Sequence, residues 1–196
     1  PVEIRAVAVL RMERGIADPA CRGWVEAWWD EAARHLPLPA ADIAAYRAAL
    51  LDRYANPRIR HRLAQIAADG SQKIPQRLMN TARERLAAGQ PITLIGAALA
   101  GFLRFMTGTG ETGAPLPVND PKAAVFKAAA EGVGGYGVTR LAPAEATALA
   151  AKLAPAMLGI AEVFGDTGRD PRLIAAVQPP LARILSEGAL ASVAGA

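Results

Sequence analysis

Apolar side chains in this chain recur mostly three and four positions apart, the spacing of one helical face, and proline and glycine cut that rhythm into segments. From Asp42 onward, Ile43, Tyr46, Leu50 and Tyr54 predict a first such helix. A second starts at Pro57 with Ile59, Leu63 and Ile66 as its stripe, and Gly70 is placed to end it in a left-handed turn. Pro75 then opens a helix with Leu78, Met79, Ala82 and Leu86 on one side and Gly89 past its end. Thr93 to Phe105 is nearly all apolar, which predicts a central helix buried on most sides. Thr107 to Asn119 is rich in proline and glycine and reads as a long surface loop. Pro143 to Phe164 reads as one long helix kinked at Pro155, and Leu173 to Leu185 as a last helix interrupted at Pro179-Pro180. Val2 to Leu10 alternates weakly, but its pattern continues through Met12 and Ile16 with helical spacing, so it too is expected to be helical.

Helix starts are marked by a repeated dipeptide. Asp18-Pro19, Asn56-Pro57, Asp120-Pro121 and Asp170-Pro171 each precede a helix-favouring stretch. A carboxylate or amide oxygen accepts from the free N–H groups of a first turn, and proline fits the first helical position because its missing N–H has no partner there. These signals predict an all-α, multi-helical lobe of eight to ten helices, a single domain over residues 1–196 with no Rossmann sheet. Trp24, Trp28 and Trp29 fall on one side of one helix and predict an apolar seam, against the core or against a partner surface.

Composition narrows the function classes. Apolar residues make up 52% but aromatics only 5%, so the core must come from Ala, Leu, Ile and Val. No uncharged apolar run reaches the roughly 18–20 residues of a membrane-spanning helix, so no membrane partner is expected. A single cysteine, Cys21, gives no disulfide within the chain and no thiolate zinc cluster. Only His35 and His61 could offer imidazole ligands, and no metal site is expected. No export signal is evident, and the cytoplasm is the default location. The net charge is +4, yet of 22 basic residues only 4 are Lys. The densest basic stripe, Arg53, Arg58, Arg60, His61 and Arg62, lacks interleaved aromatics for base stacking, so nucleic acid is not an expected partner.

Two segments could carry chemistry. Gly132 to Gly137 fits the G-x-G-x-x-G string, but a helix rather than a strand precedes it and no acidic residue lies twenty positions on, so it reads as a loop between helices. Asp69-Gly70-Ser71-Gln72-Lys73 places a carboxylate, a hydroxyl, an amide and an ammonium within five residues. That set can hold a polyhydroxylated ligand by many directed hydrogen bonds. It equally fits a capped interhelical turn, with Gly70 ending one helix and Ser71 capping the next.

Arg53-Tyr54-Ala55-Asn56-Pro57, followed a dozen residues later by Asp69-Gly70-Ser71-Gln72-Lys73-Ile74-Pro75, resembles the C-terminal substrate domain of the long-chain mannitol dehydrogenase family. That family includes mannitol 2-dehydrogenase, fructuronate reductase and tagaturonate reductase. Ile16-Ala17-Asp18-Pro19 and Asp120-Pro121 resemble further family segments, so the likeness spans roughly residues 13 to 130. The resemblance implies a helical lobe like the C-terminal domain of 6-phosphogluconate dehydrogenase, closing a sugar or sugar-acid site against an N-terminal Rossmann domain that holds NAD or NADP. It also implies hydride transfer between a polyol or aldonate and its ketose or keto sugar acid, without metal. In the family, the lysine of a Lys-x-x-x-x-Asn-x-x-His motif acts as acid and base. No such string occurs here, so no catalytic residue is assigned to this chain. The second family lysine, in Asp-Gly-Ser-x-Lys, maps onto Lys73.

Asp69, His61 and Arg77 join Lys73 as candidate substrate-binding residues. Gln65, where mannitol-type members often carry Arg, together with His61 and Arg77 is closer to the fructuronate-reductase branch. The chain is therefore expected to be the C-terminal portion of such an enzyme, inactive and without bound cofactor by itself. Loss of the covering domain would leave an apolar surface near Val2 to Ile16 and favour self-association. The competing class is a helical scaffold or interaction domain without the chemistry. A coding sequence continuing upstream with a glycine-rich strand–helix start would separate the two.

Overall fold

A computed structural model describes residues 12–34, 36–59 and 68–189. Nine helices run through them: α1 (Met12–Ala17), α2 (Pro19–Ala33), α3 (Ala40–Ala55), α4, α5 (Thr93–Met106), α6 (Ala123–Gly132), α7 (Pro143–Leu158), α8 (Ala161–Phe164) and α9 (Pro171–Glu187). Helix α4 is continuous through Gly70–Ile74, a π-helical turn Pro75–Met79 and Asn80–Ala87. A 3₁₀ turn, Asp166–Arg169, joins α8 to α9. The described residues hold no strand, only an isolated bridge between Thr109 and Pro115. The all-α expectation holds.

The apolar run Thr93–Met106 forms the centre, with Leu99, Ala100 and Leu103 fully buried. Helix α9 packs against both α5 and α7. Small residues permit the close approach: a Cβ at Gly96 would lie 2.4 Å from the Ala176 carbonyl oxygen. Two of the expected caps are in place. Asp18 accepts from the backbone N–H groups of Ala20 and Cys21, and Asp170 from that of Arg172. Arg172 also donates to the Leu86 carbonyl at 2.7 Å, closing the far end of α4. Gly89, at φ +66°, follows the last turn of α4, with Gly89 N–H donating to Leu86 and Gln90 N–H to Arg85. That is the double-bond ending expected of a left-handed helix terminus.

Several boundaries differ from the sequence expectations. Helix α3 starts at Ala40, so Asp42 lies inside its first turn, and Tyr46 is 59% exposed. Asn56 caps only a turn, accepting from Arg58 N–H, and the helix expected from Pro57 otherwise lies outside the described residues. Gly70 does not end a helix in a left-handed turn: it opens α4. Its missing side chain admits Phe102, whose ring edge would sit 2.6 Å from a Cβ there. Pro75 lies within α4, where the wider π turn accommodates the lost N–H.

Pro179-Pro180 does not interrupt α9 either. Each internal proline costs about 3 kcal/mol. Burial of Leu173, Val177, Leu181, Ile184 and Leu185 on both sides of the pair, at roughly 1.5–3 kcal/mol each, offsets this. The segment Pro143 to Phe164 keeps Pro155 inside α7 but breaks at Gly159 into α7 and α8.

The loop from Thr107 to Asn119 is not wholly at the surface. Thr107, Thr109 and Gly110 are buried, and the buried Arg104 guanidinium donates to the carbonyls of Gly110 (3.1 Å) and Val138 (2.9 Å). Burial pushes the Arg104 pKa down. Of the expected N-terminal helix only Met12–Ala17 is described, and there Ile16 is buried. The Val2 to Leu10 part lies outside the described residues, as does any surface it forms.

The tryptophans do not form one seam. Trp24 and Trp28 meet edge to face at 5.9 Å, with Trp28 against the core, while Trp29 meets Tyr46 of α3 at 5.7 Å.

Candidate functional site

The polar cluster of the sequence is the first turn of α4. Gln72 and Lys73 N–H groups both donate to the Asp69 carbonyl at 3.0 Å, which starts the helix one turn before Lys73. The Asp69 carboxylate makes no cap hydrogen bond. It pairs instead with the Lys73 ammonium, Oδ1 to Nζ 2.8 Å, and both side chains are about two-fifths exposed. Lys73 therefore reaches solvent beside a carboxylate. The N–H of Ser71 is taken by a residue far along the chain: Asp120 Oδ2 accepts it at 2.9 Å. The second Asp120 oxygen accepts from Lys122 N–H at 2.8 Å, and Asp120 is 7% exposed. The Ser71 hydroxyl, buried beside this bond, has no hydrogen-bond partner among the described residues.

The floor under this turn is aromatic. Phe102 of α5 fills the space over Gly70 and meets Phe126 of α6 edge to face at 5.5 Å, and Phe126 meets Phe164 of α8 at 6.0 Å. Lys122 pairs with Glu162 across the gap between α6 and α8. The turn is thus fixed from below by apolar packing and from one side by a buried carboxylate, while the Lys73 and Asp69 side chains are part-exposed.

Arg77 lies one turn further along α4, within its π segment, and is exposed. It lines a groove of about 490 Å³ between α2 and α4, together with Trp28, Glu31 and Arg85, whereas Lys73 does not. His61 and Gln65 lie outside the described residues. Of the four candidates, then, Asp69 and Lys73 are in contact and Arg77 faces the α2 side.

The described residues contain no group of three His, Cys, Asp or Glu side chains able to hold a metal ion. None of their helices is long and apolar enough to cross a membrane. Burial and the neighbouring Asp18 carboxylate push the Cys21 thiol up, away from the thiolate form a nucleophile needs.

The glycine string does not fit a dinucleotide. It ends α6: Gly134, at φ +75°, donates to Glu131, and Gly135 to Ala130 at 2.7 Å. A Cβ at Gly135 would lie 2.7 Å from Leu153, so the loop packs against α7 rather than framing a phosphate.

Asp120 has a second role that its sequence does not signal. Asp120-Pro121 carries the local signature of a helix start, and it does cap a turn before α6. Its second bond, to Ser71, spans 49 positions and has no local signature at all.

Comparison with known proteins agrees with the motif. The profile described as "Mannitol dehydrogenase C-terminal domain" matches residues 12–185. An Escherichia coli protein named "Uncharacterized oxidoreductase YdfI" is 35% identical over 84% of this chain, which spans 31% of that protein. The D-mannonate oxidoreductase of Escherichia coli is 41% identical over half of this chain, spanning 20% of that protein. Among solved structures, the Pseudomonas fluorescens mannitol 2-dehydrogenase ternary complex with NAD and D-mannitol superposes with a TM-score of 0.76. It is 21% identical, and the match covers 97% of this chain and 36% of that one. The likeness at that identity is one of fold. The chain thus spans about a third or less of the length of these relatives. With a match running from α1 into α9, it belongs to the mannitol dehydrogenase C-terminal domain family.

Proposed function

We propose that this chain is the substrate-binding part of an NAD- or NADP-dependent oxidoreductase. The enzyme interconverts a polyol or aldonate with its ketose or keto sugar acid. The observation that carries this reading is the first turn of α4, where part-exposed Lys73 and Asp69 pair on a backbone pinned by Asp120 within the family's domain. An ammonium beside a carboxylate offers donors and acceptors together, the pairing that vicinal hydroxyls use. The chemistry of hydride transfer belongs to the nicotinamide, and the acid–base group to residues this chain does not contain. Lys73 and Asp69 orient the sugar.

The cofactor's place is outside this chain, because the glycine string Gly132 to Gly137 is taken up in ending α6. Fluorescence titration of the 196-residue chain with NADH is expected to show no saturation below about 1 mM. Saturation at micromolar NADH would remove the domain assignment.

The relative named D-mannonate oxidoreductase supports a sugar acid over a neutral polyol. Turnover assays on the complete protein with NADH are expected to favour fructuronate over fructose by about tenfold or more, the worth of one charge-assisted contact. A preference for fructose would give the site to polyols, and no turnover of either would end the oxidoreductase reading.

A further inference from the structure

A helix start leaves its first N–H groups unpaired, and the residue just before it usually supplies the oxygen that accepts one. In α4 that residue is Asp69, yet its carboxylate is turned to Lys73, and the Ser71 N–H is accepted by Asp120 instead. Asp120 can do this because it is buried with both oxygens committed, one to Ser71 and one to Lys122.

We propose that Asp120 is a positioning residue: it caps α4 from 49 positions away and so leaves Asp69 to hold the Lys73 ammonium over the substrate. Removing the Asp120 carboxylate leaves Ser71 N–H without a partner in a buried place. Asp69 stands at the ordinary capping position, where its carboxylate can take over that bond. Asp69 then turns inward and releases Lys73. The consequence for substrate rests on the oxidoreductase reading above, but the release of Lys73 does not.

The test therefore has two readouts. The first is acylation of lysines by an N-hydroxysuccinimide ester, followed by mass spectrometry. The chain has four lysines, and Lys152, exposed on α7, serves as the internal reference. Asp120→Ala is expected to raise Lys73 labelling relative to Lys152 about threefold, because the ion pair that slows it is lost. Asp69→Asn should raise it equally, and the double variant no further. Asp120→Asn, which keeps one acceptor oxygen for Ser71, should restore labelling to near the parent value and guards against a misfolded Ala variant.

The second readout is steady-state kinetics of the complete protein. Asp120→Ala should raise the sugar KM about tenfold and leave the cofactor KM unchanged. A purely structural carboxylate would lower the melting midpoint without moving Lys73 labelling or splitting the two KM values, and that result would overturn the proposal. Unchanged labelling overturns it whatever the kinetics show. Altered labelling in a protein that turns over no sugar would keep the capping role and discard the oxidoreductase reading.

Discussion

Replacing Lys73 by Ala in the complete protein is expected to lower kcat/KM for the sugar by about 10–100-fold while leaving cofactor KM and thermal stability nearly unchanged. The magnitude follows from the contact being lost. A hydrogen bond from a charged donor is worth about 1.5–3 kcal/mol, and each 1.4 kcal/mol is a factor of ten. The absence of a stability effect follows from exposure: Lys73 and Asp69 side chains are 41% and 38% exposed. A surface pair of that kind contributes about 1 kcal/mol or less. Steady-state kinetics and a thermal melt on the same preparation separate the two. An unchanged kcat/KM would remove Lys73 from the substrate, and a large fall in melting temperature would make it a structural residue. Asp69→Asn should show a smaller loss, because the ammonium is released from its ion pair but still present.

The elements legible in the sequence are those set by local chemistry. The Asp18 and Asp170 caps, the Gly89 ending and the apolar run of α5 each rest on residues within a turn of one another, and each is present. What the sequence misplaced was decided across the fold. Gly70 looks like a terminator because glycine usually supplies a left-handed residue, yet here its role is to make room for Phe102. Pro75, Pro179 and Pro180 look like breaks, and the buried stripes on either side hold their helices together. The candidate site divides in the same way. Asp69 and Lys73 were legible as members of one polar cluster, but not as an ion pair at one helix start. Asp120 was legible only as a local cap, because a hydrogen bond over 49 positions depends on how α4 and α6 meet. Arg77 shares α4 with Lys73, but the π turn and the groove against α2 take it to a different setting than simple four-residue spacing implies.

The second large effect is expected where two helices touch through their backbones. In Gly96→Ala the added methyl would lie 2.4 Å from the Ala176 carbonyl oxygen and 2.8 Å from its carbon. The obstacle is the main chain of α9, not a side chain that can rotate away. Relief requires α9 to move outward, and α9 also packs on α7, so Leu173, Val177 and Leu181 would lose contact together. Overpacking of this kind costs about 3 kcal/mol, at the upper end for a single added methyl. For a domain of this length that lowers the melting midpoint by roughly 6–12 °C. Gly101, on the same helix, is the control. It is exposed, and a methyl there meets nothing within 4 Å. Gly101→Ala should therefore stabilise the fold by about 0.5–1 kcal/mol, because alanine has less backbone freedom to lose. Opposite shifts from the same substitution five positions apart would identify close approach of α5 and α9 as the cause. A Gly96→Ala melt matching that of the parent would mean that the two helices do not cross at this distance.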